Sequence, residues 1–360
     1  MPKMGWTQGR FAPGVTDTSD DLAAVAYGSG KGFVAVGHGP SASFASTNGI
    51  QWIESTAGLD SAGPLYGVTH YNGDYVAVDS DGGIASSPSG STWTPRAATG
   101  VSLSSIGAYG GEFVAVGDNG AIYIAPSAVP PTQWTFVNSG TTENLLAVAG
   151  GSTLWEFIAV GASGTILASK NLGTSWTPQT SGTLSHLDGL IYGNGRYVAV
   201  GEARMILTST NGTFWAPAST NYNYTGTDLY AVGYGNGLFV AVGEDGWTAV
   251  SRDGSAWAWS TSETVNTLRG ITYSNGAFAA VGDSGTLMLS VAPKLGPVTL
   301  LPNRSFQISV AGGPGQQIQI QASTDLLNWL VVTTVKLDLN GAGQFTDAAT
   351  PHRFFRAITQ

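Results

Sequence analysis

Four short apolar runs, separated by polar turns, recur as a unit along most of the chain. One run reads aromatic-Val-Ala-Val-Gly or a near copy, and it begins at Phe33, Tyr75, Phe113, Phe157, Tyr197, Phe239 and Phe278, with spacings of 42, 38, 44, 40, 42 and 39 residues. Upstream of each lies Leu-x-(Gly/Ala/Ser)-(Val/Ile/Leu), starting at Leu22, Leu65, Leu103, Leu145, Leu187, Leu229 and Leu268. Downstream comes a third run, such as Thr165-Ile166-Leu167-Ala168-Ser169. A polar turn then leads to Trp52, Trp93, Trp134, Trp176, Trp215 or Trp257. Runs this short, bounded by Gly, Asn and Asp, predict strands. A period near ~40 residues with four strands per unit predicts an all-β propeller. A single four-stranded sheet cannot bury both faces, whereas radial stacking covers each sheet with its neighbours.

The seventh unit ends with its third strand, Thr286-Leu287-Met288-Leu289-Ser290. Trp6-Thr7 copies the Trp-Thr of Trp93 and Trp176, so the N-terminal strand is expected to complete the last blade. That would close a ring of seven blades and remove the exposed edges. The repeat stops after residue 293, near Gly296 and Pro297. The remainder reads as about five strands: Ser305–Val310, Gln316–Ala322, Leu330–Leu337, Gly343–Thr346 and Phe354–Ile358. The expected organisation is a seven-bladed β-propeller over residues 1–293 and a small C-terminal β-sandwich-like module over 294–360.

Composition narrows the functional classes. Glycine supplies 51 of 360 residues and charged residues only 10%, yet 42% are hydrophobic, with 11 Trp. This excludes a disordered chain and fits many tight turns between strands. The net charge of −9 argues against nucleic acid and anionic membranes as partners, since both need a basic footprint. There is no cysteine, hence no disulfide or thiolate chemistry. No apolar run approaches a membrane span, and Met1-Pro2-Lys3-Met4-Gly5-Trp6 does not read as a signal peptide.

Ser169-Lys170-Asn171-Leu172-Gly173-Thr174-Ser175-Trp176 resembles the Asp-box of sialidase-type and BNR-repeat propellers. Shorter copies start at Ser46, Ser209 and Ser251, and of these only Asp253 keeps the acid. Together with the Val-Ala-Val-Gly strands, residues 5–291 resemble the photosystem II assembly and stability factors and their bacterial relatives. The resemblance implies a propeller in which the box is a structural turn. The segment Ser323–Trp329 followed by Arg353-Phe354-Phe355-Arg356-Ala357 looks like C-terminal β modules of secreted bacterial proteins. The location this implies is extracellular or the cell envelope of a bacterium, with the signal peptide not in this chain.

Strand order places the loops after the second and fourth strands on one face, around the channel mouth, where propellers take ligands. The residue after each repeated Leu is Ala23, Tyr66, Ser104, Leu146, Asp188, Tyr230 and Arg269, and it is expected near that mouth. Beside them lie His186, Asp228 and the aromatic loop Asn221-Tyr222-Asn223-Tyr224. In the loop after the second strand, Asp118 and Asp283 read as solvated turn residues. Arg204 replaces a closing glycine there, Asp79 replaces an opening one, and Trp247 follows Glu244 and Asp245. Asp79-Ser80-Asp81-Gly82 is a calcium-loop fragment without the later ligands and reads as a turn. Four His without paired spacing give no metal site, and no cofactor is expected. No nucleophile elbow is present.

Carboxylates mixed with Tyr and Trp suit a sugar, because aromatic faces stack on pyranose rings and carboxylates accept hydroxyl hydrogen bonds. The first reading is therefore a monomeric carbohydrate-active propeller that binds a polysaccharide or oligosaccharide, with glycoside hydrolase chemistry as its catalytic form. Asp188 with Glu202 or Glu244 would be the acid and base. Tyr66, Arg204, Tyr230, Trp247, Arg269 and His186 would bind substrate. The second reading is a non-catalytic scaffold that grips a protein partner. A deep acidic pocket lined by Tyr and Trp favours the first, and a basic or large apolar patch the second.

Overall fold

The computed structural model describes residues 6–11, 20–39, 43–55, 57–59, 63–126, 133–151, 156–220, 226–274, 276–291, 294–303, 305–312, 317–337, 342–347 and 354–359. Up to residue 291 these form five four-stranded and two five-stranded sheets. The fold is all-β and of propeller type. We number the sheets one to seven by their first strands, Leu22–Gly28, Leu65–Tyr71, Leu103–Tyr109, Leu145–Gly150, Leu187–Gly193, Leu229–Gly235 and Leu268–Ser274. Each first strand lies beside the first strand of the next sheet, and that of the seventh lies beside that of the first.

The sixth sheet shows how sequence makes the unit. Leu229–Gly235, Leu238–Gly243, Trp247–Ser251 and Ala256–Thr261 follow one another antiparallel. In the second strand every residue but Leu238 is buried. It is apolar without alternation because neighbouring sheets cover both faces. Val198 and Val200 of the fifth sheet pack with Leu229, Phe239, Ala241 and Trp257 of the sixth. Tyr197 and Ala199, pointing the other way, pack with Ile158 and Val160 of the fourth.

The polar turn before each Trp is a side-chain-closed loop. Ser251 Oγ accepts from Gly254 N–H (2.8 Å), and Asp253 Oδ1 accepts from Ser255 N–H (2.9 Å) and Ala256 N–H (3.0 Å). Trp257 Nε1 donates back to Gly254 O at 3.0 Å. The backbone donors push the Asp253 carboxyl down to about 2. Asn48 and Asn211 accept the same backbone bonds in their turns, so a neutral amide serves equally where the acid is missing. Outside the ladders, Arg10–Phe11 runs parallel to Gln51–Trp52, and Ser219–Thr220 runs parallel to Ala256–Trp257. The chain leaving one sheet thus latches onto the outer strand of the next.

By contact density the chain divides into a larger unit, residues 9–274 with 279–287, and a smaller one holding the rest. In the smaller unit Trp6–Gln8 pairs antiparallel with Met288, Leu289 and Ser290 in the register Trp6↔Ser290. It also holds two three-stranded sheets. The first is Lys294–Leu300, Phe306–Ala311 and Ala342–Asp347, and the second is Leu330–Lys336, Gln317–Ser323 and Phe354–Thr359. Ile308, Val310 and Phe345 of one meet Ile318, Ile320 and Val335 of the other in a common core. The sequence reading missed Lys294–Leu300 because Gly296-Pro297 looked like a boundary. The strand absorbs both at a register shift between Leu295 and Val298, on a sheet edge, where proline is tolerated. Ser323 and Asp325 close a turn like those of the larger unit, with Trp329 Nε1 donating to Leu326 O at 3.1 Å. Among the described residues no helix is long and apolar enough to cross a membrane.

Candidate functional site

The first strands enclose a cavity of about 480 Å³ to which all seven contribute. The residue after each repeated Leu lines it: Ala23, Tyr66, Ser104, Leu146, Asp188, Tyr230 and Arg269. The register explains why. Leu229 pairs with Gly243 and Ala231 with Val242, which leaves Tyr230 without a partner at a β-bulge. The same shift flanks Ala23, Tyr66, Ser104, Leu146 and Asp188. A bulge re-aims its extra side chain, here into the cavity. The next residue is small, and a Cβ on Gly189 would sit 2.8 Å from Tyr230 O of the adjoining strand. Small residues there let the first strands approach.

The sequence-selected residues separate into those in the cavity and those beside it. Tyr66, Asp188, Tyr230 and Arg269 line it, and so does His38, whose ring meets Tyr66 edge-on with centroids 5.0 Å apart. Arg269 is bonded through Nε and Nη2 to the two oxygens of Asp283, the second at 3.0 Å. Its guanidinium lies 5.2 Å from the Tyr230 ring centre. Asp283 is therefore an ion-pair partner and not the solvated turn residue expected. Sequence missed the pair because fourteen residues separate its members, and only the hairpin brings them together.

Glu202 and Glu244 do not line the cavity. Glu202 Oε2 accepts from His186 N–H at 2.9 Å, and Glu244 Oε2 accepts from Asp228 N–H at 3.0 Å. His186 Nδ1 lies 3.5 Å from Glu202 Oε1, with both side chains well exposed. Each glutamate thus pins the start of its own sheet's first strand. Asp228 Oδ1 in turn accepts from Ala203 N–H of the preceding sheet at 2.8 Å, as Asn144 Oδ1 does from Asn119 N–H. These acids form a recurrent backbone clasp around the rim. Tyr230 Oη reaches Glu244 Oε1 at 3.4 Å, and burial with the nearby acids pushes the phenol up to about 12.

Arg204 and Trp247 form a separate contact between the fifth and sixth sheets. Arg204 keeps the positive φ of the glycine it replaces (62°). Its guanidinium lies 4.8 Å from the Trp247 ring centre and 4.5 Å from that of Trp259. Nη2 donates to Thr227 Oγ1 at 3.1 Å. This is a cation–π staple, worth about 1–2 kcal/mol when desolvated. Trp259 was not singled out in the sequence, although a second Trp two residues after the repeated one breaks the pattern. In the second sheet Asp79 is buried, and its Oδ1 accepts from Asp81 N–H (2.9 Å) and Gly83 N–H (2.6 Å), so it closes a turn. No cluster of potential metal ligands occurs among the described residues. The loop Asn221-Tyr222-Asn223-Tyr224 lies outside them.

Asp188 differs from the other acids. Among the described residues its carboxylate has no hydrogen bond or ion pair. Its pKa is pushed up to about 6, first by burial, then by Glu202 and Asp228, with His186 opposing. A folded pKa above the unfolded one means that the native state holds the proton more tightly. Stability is then full at low pH and falls as pH rises from about 4 to about 6. Asp188→Asn is accordingly expected to raise the unfolding free energy by about 2 kcal/mol at neutral pH, after a discount for partial exposure. Near pH 3 it should change little. Urea titrations of both proteins at the two pH values measure this, and equal stability at neutral pH would refute it.

No family model matches the chain, and no curated protein matches it. Solved structures that share its fold include two of YCF48. YCF48 bound to D1 peptide aligns over 81% of this chain and 95% of that one, with 16% identity and a TM-score of 0.61. YCF48 from Cyanidioschyzon merolae aligns over 79% and 98%, with 14% identity and a TM-score of 0.62. The carbohydrate-active reading is corrected by this comparison, because the structure seen with a ligand is bound to a peptide. The site agrees, since Glu202 and Glu244 each commit an oxygen to backbone clasps. At these identities the likeness establishes the β-propeller fold alone.

Proposed function

We propose that this chain is a non-catalytic scaffold that binds a polypeptide segment of a protein partner in the central cavity. The sheets are read as seven blades of one closed ring, with residues 294–360 as an appended β-sandwich module. The observation that carries the proposal is the cavity itself. All seven first strands line it, six of them at a β-bulge, and the resulting wall mixes aliphatic, aromatic and charged side chains. A preformed concave site with few polar groups is the common form of a ligand site. A fold shared with a peptide-bound propeller supports a peptide as occupant.

Ser104→Trp tests the reading, because Ser104 is a small cavity-lining residue at a bulge and an indole there fills the space without changing charge. Phage-displayed linear dodecapeptides selected on the full chain are expected to lose binding to Ser104→Trp by at least about a hundredfold. Unchanged binding of every selected peptide to the plugged variant would exclude the cavity.

A further inference from the structure

Resting on the peptide-binding reading, we infer that the cavity receives a cationic group of the partner, a lysine, an arginine or a free amino terminus, seated on Asp188. The argument begins with the charges on the cavity wall. Arg269 and Asp188 both line it. Arg269 is matched by Asp283 through two hydrogen bonds, and one face of its guanidinium is spent on Tyr230. It offers an incoming anion little. Asp188 is unmatched: among the described residues its carboxylate has no hydrogen bond or ion pair, and its neighbour in the strand is Gly189.

The surroundings make that carboxylate more receptive to a cation. Three further groups act on it: Glu202 on the turn of its own sheet, His186 two residues before it, and Asp228 at the start of the next first strand. Two of the three are acids. His186 lies against Glu202, and Glu202 and Asp228 are held by backbone N–H groups, which fixes them around the rim. Tyr230 and, through it, Glu244 complete the set. A bound ammonium or guanidinium would convert an unpaired, partly desolvated carboxylate into a charge-assisted hydrogen bond, among the stronger polar contacts. The cavity of about 480 Å³ far exceeds the ~30 Å³ of one water. A lysine or arginine side chain therefore enters without rearrangement of the strands.

The experiment uses the dodecapeptides whose binding Ser104→Trp abolishes. They are expected to need a Lys, an Arg or a free amino terminus. Replacing that residue by Gln, or acetylating that terminus, should weaken binding at least about tenfold, and Asp188→Asn in the full chain should do the same. Binding to the wild type should fade from about pH 7.5 to about pH 5 as Asp188 takes up its proton. The same titration is run on Asp188→Asn, where the fading should largely vanish. Peptides that are blocked by Ser104→Trp yet neutral or acidic, or indifferent to Asp188→Asn, would overturn the cationic occupant and leave the peptide-binding reading standing. Selected peptides all indifferent to Ser104→Trp would instead overturn the peptide-binding reading, and this inference with it.

Discussion

Gly243→Ala is expected to destabilise the protein by roughly 3 kcal/mol or more, an unusually large effect for one methyl group. The cause is a backbone approach. A Cβ on Gly243 would lie 2.0 Å from Asp228 O and 2.9 Å from Leu229 Cα. Neither atom is a flexible side-chain end, so the strands themselves must part. The same contact recurs at Gly117, Gly161, Gly201 and Gly282, where the nearest carbonyl oxygen would lie 1.9–2.0 Å away. It is how the end of each second strand sits against the start of the first, and it holds Tyr230 at its bulge. The second sheet shows what a side chain there requires. Asp79 stands in the glycine position, and its carboxylate closes a different turn, which alanine has no atoms to build. Gly182→Ala is the control, with a φ of 77° and open space around it, for which only about 1 kcal/mol of backbone strain is expected. Urea unfolding of both variants decides the matter, and equal losses would mean that the close approach is not what the glycine serves.

That glycine also shows how far the sequence can be read. The repeat period put Gly243, Phe239 and Trp257 in equivalent places in each unit, and the apolar second strand followed from burial on both faces. The period likewise grouped Tyr66, Asp188, Tyr230 and Arg269 at one level of the first strands, because equivalent positions share one environment. It could not show why they face inward, since a bulge is a fact of hydrogen-bond register and leaves no mark in composition. Nor could it separate the acids. Asp188, Glu202, Glu244 and Asp283 look alike as residues on a rim. They differ in place and in partners: among the described residues, none for Asp188 on the cavity wall, backbone N–H groups for the glutamates and Arg269 for Asp283. The backbone bonds of the two glutamates are likewise facts of the fold, invisible in residue type. In the smaller unit, Pro297 hid a strand because the edge position that excuses a proline is a property of the sheet.

Trp257→Ala should cost about 3–5 kcal/mol. The indole is 1% exposed. It packs among Val198, Val200 and Ile206 of the fifth sheet and Phe239 of its own, the ring centres of Trp257 and Phe239 lying 6.3 Å apart. Alanine loses this apolar contact, and the cavity it leaves is walled by strands that cannot collapse inward without breaking their ladders. Nε1 also closes the turn at Gly254 O. Trp257→Phe keeps most of the apolar area but leaves that carbonyl short of a partner, so about 1–2 kcal/mol is expected from it. Trp247→Ala, at a half-buried ring that shares Arg204 with Trp259, should fall in the same lower range. Differential denaturation of the three variants gives the order directly, and a Trp247→Ala loss equal to that of Trp257→Ala would refute the account. Trp257 belongs to the outermost repeated strand and Asp188 to the first. Trp257→Ala, studied cold enough to stay folded, should therefore keep the wild-type affinity for cavity-binding peptides. Loss of affinity there would mean that blade packing and the cavity are coupled, and that the scaffold is softer than its ladders suggest.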